Sequence, residues 1–241
     1  MTVNNRSVHA DVRAGAMIKG GRWIAFAGCV YVVAWLVGLA IGLATSSPGS
    51  TDSVSTIGAY FSSHREVAMI QAYLLDGITE VSLIVFAASL YSALRSFEGG
   101  SATVSSILFG AGVAAGTVSL LQGLFTQVLA DHVAAMGNSA AIRTLFDLNN
   151  EGDTYKLLAL GVFLGAAALL TLRTNALPRW LGWVAAVLGP LLVIAGWNFV
   201  LSTAVQFAAY AVLLLVLLLW VASVSVVSVR RAGSRPFLQP R

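Results

Sequence analysis

Residues 23–44 run for 22 positions without a charged side chain. At about 1.5 Å of rise per residue, a helix of that length crosses the ~30 Å hydrocarbon layer of a bilayer. Five further predominantly apolar runs follow, at 67–94, 101–130, 155–172, 180–200 and 203–229. In hydrocarbon, every backbone N–H and C=O must be satisfied inside the protein, and runs this long do so as helices, not barrel strands. The expected fold is therefore all-α, an integral membrane bundle of six transmembrane helices. Composition agrees: the chain is 58% hydrophobic and 10% charged, against roughly 25% charge in soluble domains. One membrane domain, residues 23–229, is expected between an N-terminal tail (1–22) and a basic C-terminal tail (230–241). The first run exceeds the ~7–15-residue core of a signal peptide, so it reads as an uncleaved span.

Six crossings put both termini on one side, and the basic residues decide which. Of the 14 Lys and Arg residues, 11 fall on the side of the tails, among them Arg6, Arg13, Lys19, Arg22, Arg95, Arg173, Arg179, Arg230 and Arg231. Both termini are expected to be cytoplasmic, with Trp23, Trp180 and Trp183 in the inner interfacial belt. The formal charge of +4 then reflects membrane orientation and gives no reason to expect a nucleic-acid partner. The lipid bilayer is the expected partner.

Two connections have character. After the breaker Ser46-Ser47-Pro48-Gly49-Ser50, residues Val54, Ile57, Tyr60 and Phe61 recur at helical spacing behind Asp52-Ser53. This predicts a short amphipathic helix at the interface, with a lid over a site as the competing reading. Residues 131–154 are the most polar stretch, holding Asp131, His132, Arg143, Asp147, Glu151 and Asp153. They are expected to form a loop, with some helical character at 140–148, that caps a cavity without binding metal. Asn149-Asn150-Glu151-Gly152-Asp153 lacks the ligand order of an EF-hand, and the single cysteine, Cys29, excludes an intrachain disulfide. No cofactor is expected: no P-loop, dinucleotide fingerprint, H-E-x-x-H or G-x-S-x-G occurs.

The second span carries the chemistry. Asp76 and Glu80 stand four residues apart, on one face of a helix. A carboxylate near the bilayer centre costs roughly 2.5–3.5 kcal/mol on insertion scales, so it faces protein or water and marks a functional site. Other polar groups gather at the same depth. Ser119, Gln122 and Thr126 share a face of the third span; Tyr155 and Lys156 open the fourth, Trp197 and Asn198 close the fifth, and Tyr210 begins the sixth. The expected site is an acidic, outward-opening cavity floored by Glu80. Asp76 and Glu80 are the candidate catalytic residues; Tyr73, Gln122, Tyr155, Trp197, Asn198 and Tyr210 are the candidate ligand contacts. Desolvation and a second carboxylate one turn away both favour a protonated acid, able to act as general acid or proton carrier. Lys156 and His132 are candidate counter-charges. The bland reading is that the two acids only bond to Gln122 or Asn198 and fix helix packing.

Three short segments carry a resemblance: Gly28-Cys29-Val30-Tyr31 in the first span, Leu90-Tyr91-Ser92-Ala93-Leu94-Arg95 ending the second, and Leu177-Pro178-Arg179-Trp180-Leu181-Gly182-Trp183 entering the fifth. Through them the chain resembles an uncharacterised family of small bacterial membrane proteins. That resemblance implies six helices in a bacterial cytoplasmic membrane and brings no activity with it. The expected function is binding, and acid–base conversion, of a lipophilic small molecule; proton-initiated isoprenoid cyclisation, as in small membrane terpene cyclases, is one such reaction. A proton-coupled transporter is the first competitor, and six helices would then imply a homodimer. A non-catalytic partner or sensor subunit is the second.

Overall fold

The computed structural model describes the backbone of residues 5–198 and 204–233, and the side chains of residues 21–197 and 210–231. No strand occurs among the described residues. Seven helices follow in order: α1 (Asn5–Thr45), α2 (Val54–Ser63), α3 (Arg65–Glu98), α4 (Thr103–Met136), α5 (Ser139–Thr174), α6 (Arg179–Asn198) and α7 (Ala204–Gly233). Six of them, all except α2, contain an apolar stretch long enough to cross a membrane. The chain is a multi-pass membrane protein of the all-α class.

Two segments differ from expectation. The backbone of the expected N-terminal tail is helical from Asn5 and continuous with the first span. The expected loop at 131–154 is almost entirely helix: α4 runs to Met136, Gly137 turns the chain at φ +64°, and α5 starts at Ser139. The Asn138 side chain caps α5 by accepting the Ala141 N–H at 3.1 Å. The physical reason is periodicity. Ile142 and Phe146 are four apart and both buried, while Asn149 and Asp153 continue a polar line at the same spacing. That is one continuous helical stripe, apolar at its start and polar further on, with Arg143, Asp147 and Glu151 off it. α6 runs as one helix through Pro190.

The spans close a ring in chain order: α1 packs on α3, α3 on α4, α4 on α5, α5 on α6, α6 on α7, and α7 back on α1. Lipid offers no hydrophobic drive for helix association, so close packing must supply it. Small residues allow the approach. A Cβ added at Gly112 of α4 would sit 2.5 Å from the Ala87 Cβ of α3, and one at Gly116 would sit 3.1 Å from the Glu80 carbonyl oxygen. Gly161 of α5 and Gly189 of α6 face each other equally tightly.

The two halves of the ring differ. Toward the α3–α4 and α5–α6 turns it is solid. Phe86, Phe163 and Trp220 meet there at centroid distances of 6.1–6.5 Å, and the Trp220 indole N–H donates to the Leu181 carbonyl at 3.0 Å. At the α2 end, Gly196 near the end of α6 packs against Thr154 of α5. Beyond that level α5 continues to Ser139, roughly 22 Å at 1.5 Å per residue. The same end of α3 and α4 carries the residues that pack with it. α2 lies on this extension, burying Ile57 and Phe61 against Leu129, Ala130, Ile142 and Phe146. Between the solid half and this cap lies a polar layer.

Candidate functional site

α3 changes pitch where the acids sit. Residues Tyr73–Ile78 form a π-helical turn, in which the Thr79 N–H bonds to the Leu74 carbonyl five residues back. The Thr79 hydroxyl donates to the same carbonyl at 2.8 Å. Such wide turns recur at functional sites because the extra residue re-aims neighbouring side chains. Here Asp76 is on the wide turn and Glu80 follows where α-helical pitch resumes. Gly123 of α4 accommodates Asp76: a Cβ added there would lie 2.8 Å from the Asp76 Cβ.

Glu80 is wholly buried, at 0% exposure. Its Oε1 lies 2.7 Å from the ammonium Nζ of Lys156, whose side chain is 12% exposed. No donor with hydrogen-bond geometry reaches either Glu80 oxygen among the described residues, so the contact is an ion pair more than a directed bond. Taking two charges out of water costs several kcal/mol per ion, and their mutual attraction offsets it only when they stay paired.

A cavity of about 260 Å³ runs from Pro48, Tyr60 and Phe61 under α2 down to Leu160 and Leu214 above the solid half. Asp76, Gln122, Asp153, Lys156, Tyr31 and Tyr210 line it midway. Glu80, the expected floor, does not: Lys156 stands in the wall with Glu80 paired behind it, and the cavity ends lower, at Leu160 and Leu214. Gln122 knits α4 to α5, donating to the Asn149 carbonyl at 2.6 Å and to Asp153 Oδ1 at 3.1 Å. The Thr126 hydroxyl donates to Asn149 Oδ1 at 3.1 Å. Gly152 lets that seam close, since a Cβ there would lie 2.7 Å from Gln122 Cγ.

Of the residues singled out in the sequence, Asp76, Gln122 and Tyr210 come together in this wall, with Glu80 behind it. Tyr73, Tyr155 and Trp197 do not: they are 61%, 65% and 67% exposed and project away from the cavity. Each is close in sequence to a site residue but on the opposite face of its helix, which depth alone does not reveal. Asn198 ends α6, and its side chain lies outside the described residues. His132 pairs with Asp131 at 3.1 Å, far from Lys156 in the fold, and Asp131 also takes Arg65. Asp147 pairs with Arg143 at 2.8 Å, and Glu151 is exposed. No group of three His, Cys, Asp or Glu side chains is placed to hold a metal ion among the described residues.

Asp153, Asn149, Gln71 and Tyr31 belong to the wall and were not among the expected contacts. A signal existed for two of them. Asn149, Asp153, Lys156 and Leu160 stand at i, i+4, i+7 and i+11, the spacing of one helical stripe. Compared with known proteins, the chain matches no family model, no curated protein and no solved structure.

Proposed function

We propose that this protein binds a small molecule in the α2-capped cavity and exchanges protons with it through Asp76, Asp153 and the Lys156–Glu80 pair. One observation carries the reading: a cavity that reaches a buried ion pair flanked by two further carboxyls, in a bundle whose other half is packed solid. Buried acids beside a buried base hold their protons on terms set by their neighbours, which general acid–base chemistry requires. In this reading Lys156 and Glu80 form a neutral unit that passes a proton between its members, and Asp76 and Asp153 face the ligand.

The wall mixes carboxyls and amides with Leu75, Leu157, Leu160 and Trp35. It favours an amphiphilic molecule over the pure hydrocarbon that isoprenoid cyclisation would need. The solid half, sealed by Phe86, Phe163 and Trp220, favours a site entered from one end over a continuous transport path. The basic bias of the sequence supports cytoplasmic termini and a cavity opening outward; the resemblance to small bacterial membrane proteins supports a bacterial cytoplasmic membrane.

Asp76 is the residue to test. It lines the cavity on a wide helical turn, and asparagine has nearly its shape. Asp76→Asn is expected to melt within a degree or two of wild type, since nothing is left unsatisfied or overpacked, while the metabolite profile of cells carrying it departs from wild type. Identical profiles with unchanged melting would leave the acid without a chemical role and reject the reading.

A further inference from the structure

We infer that the occupant of the cavity is a small organic ammonium ion: a protonated primary or secondary amine on a compact apolar body. This rests on the proposed function, which puts the ligand in that cavity, and adds its chemical class.

The argument is an inventory of donors and acceptors around the cavity. Several of the wall's side-chain donors are spent on the wall itself. Gln122 gives its amide N–H groups to Asn149 and Asp153, Thr126 gives its hydroxyl to Asn149, and Asn150 donates to the Phe146 carbonyl at 2.8 Å. Gln71 donates to the Gly38 carbonyl at 3.4 Å. The Tyr60 hydroxyl is shared with Thr45 and Ser47 at 3.0 and 3.1 Å. The Lys156 charge is taken by Glu80.

Acceptors remain. Asp76 lines the cavity from α3 and Asp153 from α5, and only one of the two Asp153 oxygens takes the Gln122 bond. With these two, Glu80 and Lys156 all ionised, three acids against one lysine leave the layer two negative charges in excess. A ligand that brings a positive charge and several N–H donors answers both deficits at once, through charge-assisted hydrogen bonds. An anion would meet the acids, and a neutral molecule would leave their charge uncompensated in a buried setting. Trp35 and Tyr60 add aromatic wall, which also favours a cation. The volume, about 260 Å³, falls below the ~300–1,000 Å³ of pockets that enclose drug-sized ligands, so the amine is small.

The test uses three probes with one skeleton and three charges: phenethylammonium, 2-phenylethanol and phenylacetate. Each is titrated into the full-length protein in lipid nanodiscs, with melting temperature and calorimetry as readouts. Phenethylammonium alone is expected to bind saturably. Asp76→Asn and Asp153→Asn should each weaken it about tenfold or more, the loss of one charged hydrogen bond, while Glu151→Gln, on the exposed face, leaves it unchanged. If Asp153→Asn does not fold, Asp76→Asn decides. Binding of the alcohol or the carboxylate in preference to the amine overturns the class; if that binding is lost in Asn150→Trp, which fills the cavity, the proposed site survives. Silence from all three probes, or amine binding indifferent to Asp76→Asn, overturns the inference outright.

Discussion

At the level of single residues, burying the Glu80–Lys156 pair is costly. A buried pair is tolerated because each charge cancels the other, and removing one partner leaves the other uncompensated, at about 3–5 kcal/mol. Lys156→Met is therefore expected to lower stability by an amount in that range. Adding Glu80→Gln should recover most of the loss, because the double variant removes both members of the pair together. Thermal and denaturant melting of the three proteins in one detergent checks this. Additive losses, with the double variant destabilised by as much as the two single variants together, would show that the two groups do not interact. Glu80→Gln alone should also be destabilised, since it takes from the ammonium its partner at 2.7 Å. Asp76, which has no such partner, should tolerate its amide. The two acids that look equivalent in the sequence thus separate: one is held by a lysine behind the wall, the other faces the cavity.

The elements divide the labour. α3 supplies the acids and, through its wide turn at Tyr73–Ile78, aims them. α5 supplies Asn149, Asp153 and Lys156 on one stripe, and α4 contributes Gln122 and Thr126 to join the two. α2 covers the mouth. Its entry is pinned by Arg143 of α5, which donates to the Ser50 carbonyl at 3.2 Å and the Asp52 carbonyl at 3.4 Å while paired with Asp147. One side chain thus ties the α1–α2 connection to the α5 wall. Arg143→Ala is expected to speed amide hydrogen exchange in residues 50–57, which then open locally, and to leave exchange around Phe86, Phe163 and Trp220 unchanged. Unaltered exchange at 50–57 would mean that the buried contacts of Ile57 and Phe61 hold the lid without help.

For the whole molecule, the ring of six spans makes an asymmetric body: one half packed with Leu, Ala and aromatic side chains, the other half polar and capped. The proposed orientation in the membrane rests on the 11 of 14 basic residues on the side of the tails. Reporter fusions after Arg95, Arg173 and Arg231 should therefore report cytoplasmic, and fusions near Ser50 and Ser139 external. A cytoplasmic signal from Ser50 or Ser139 would invert the molecule and open the cavity to the other side.

What the sequence determined by itself was the class of solution. Six long apolar runs leave only a helical membrane bundle, because hydrocarbon offers backbone groups no other partner. Two carboxyls inside one run mark where the apolar rule is broken, and the Ser119–Gln122–Thr126 face was visible from spacing alone. Which face meets which was decided by tertiary structure. Tyr73, Tyr155 and Trp197 lie near the right depth but point away from the cavity, because depth comes from position along a helix whereas contact comes from rotation about it. Asp153 looked like a loop residue until the 139–154 stretch proved to be the outer turns of α5. Lys156 became the partner of Glu80 only once α3, α4 and α5 were packed through Gly116, Gly123 and Gly152. Small residues let those backbones approach, and that approach, rather than the residue types, makes two distant charges into one neutral pair.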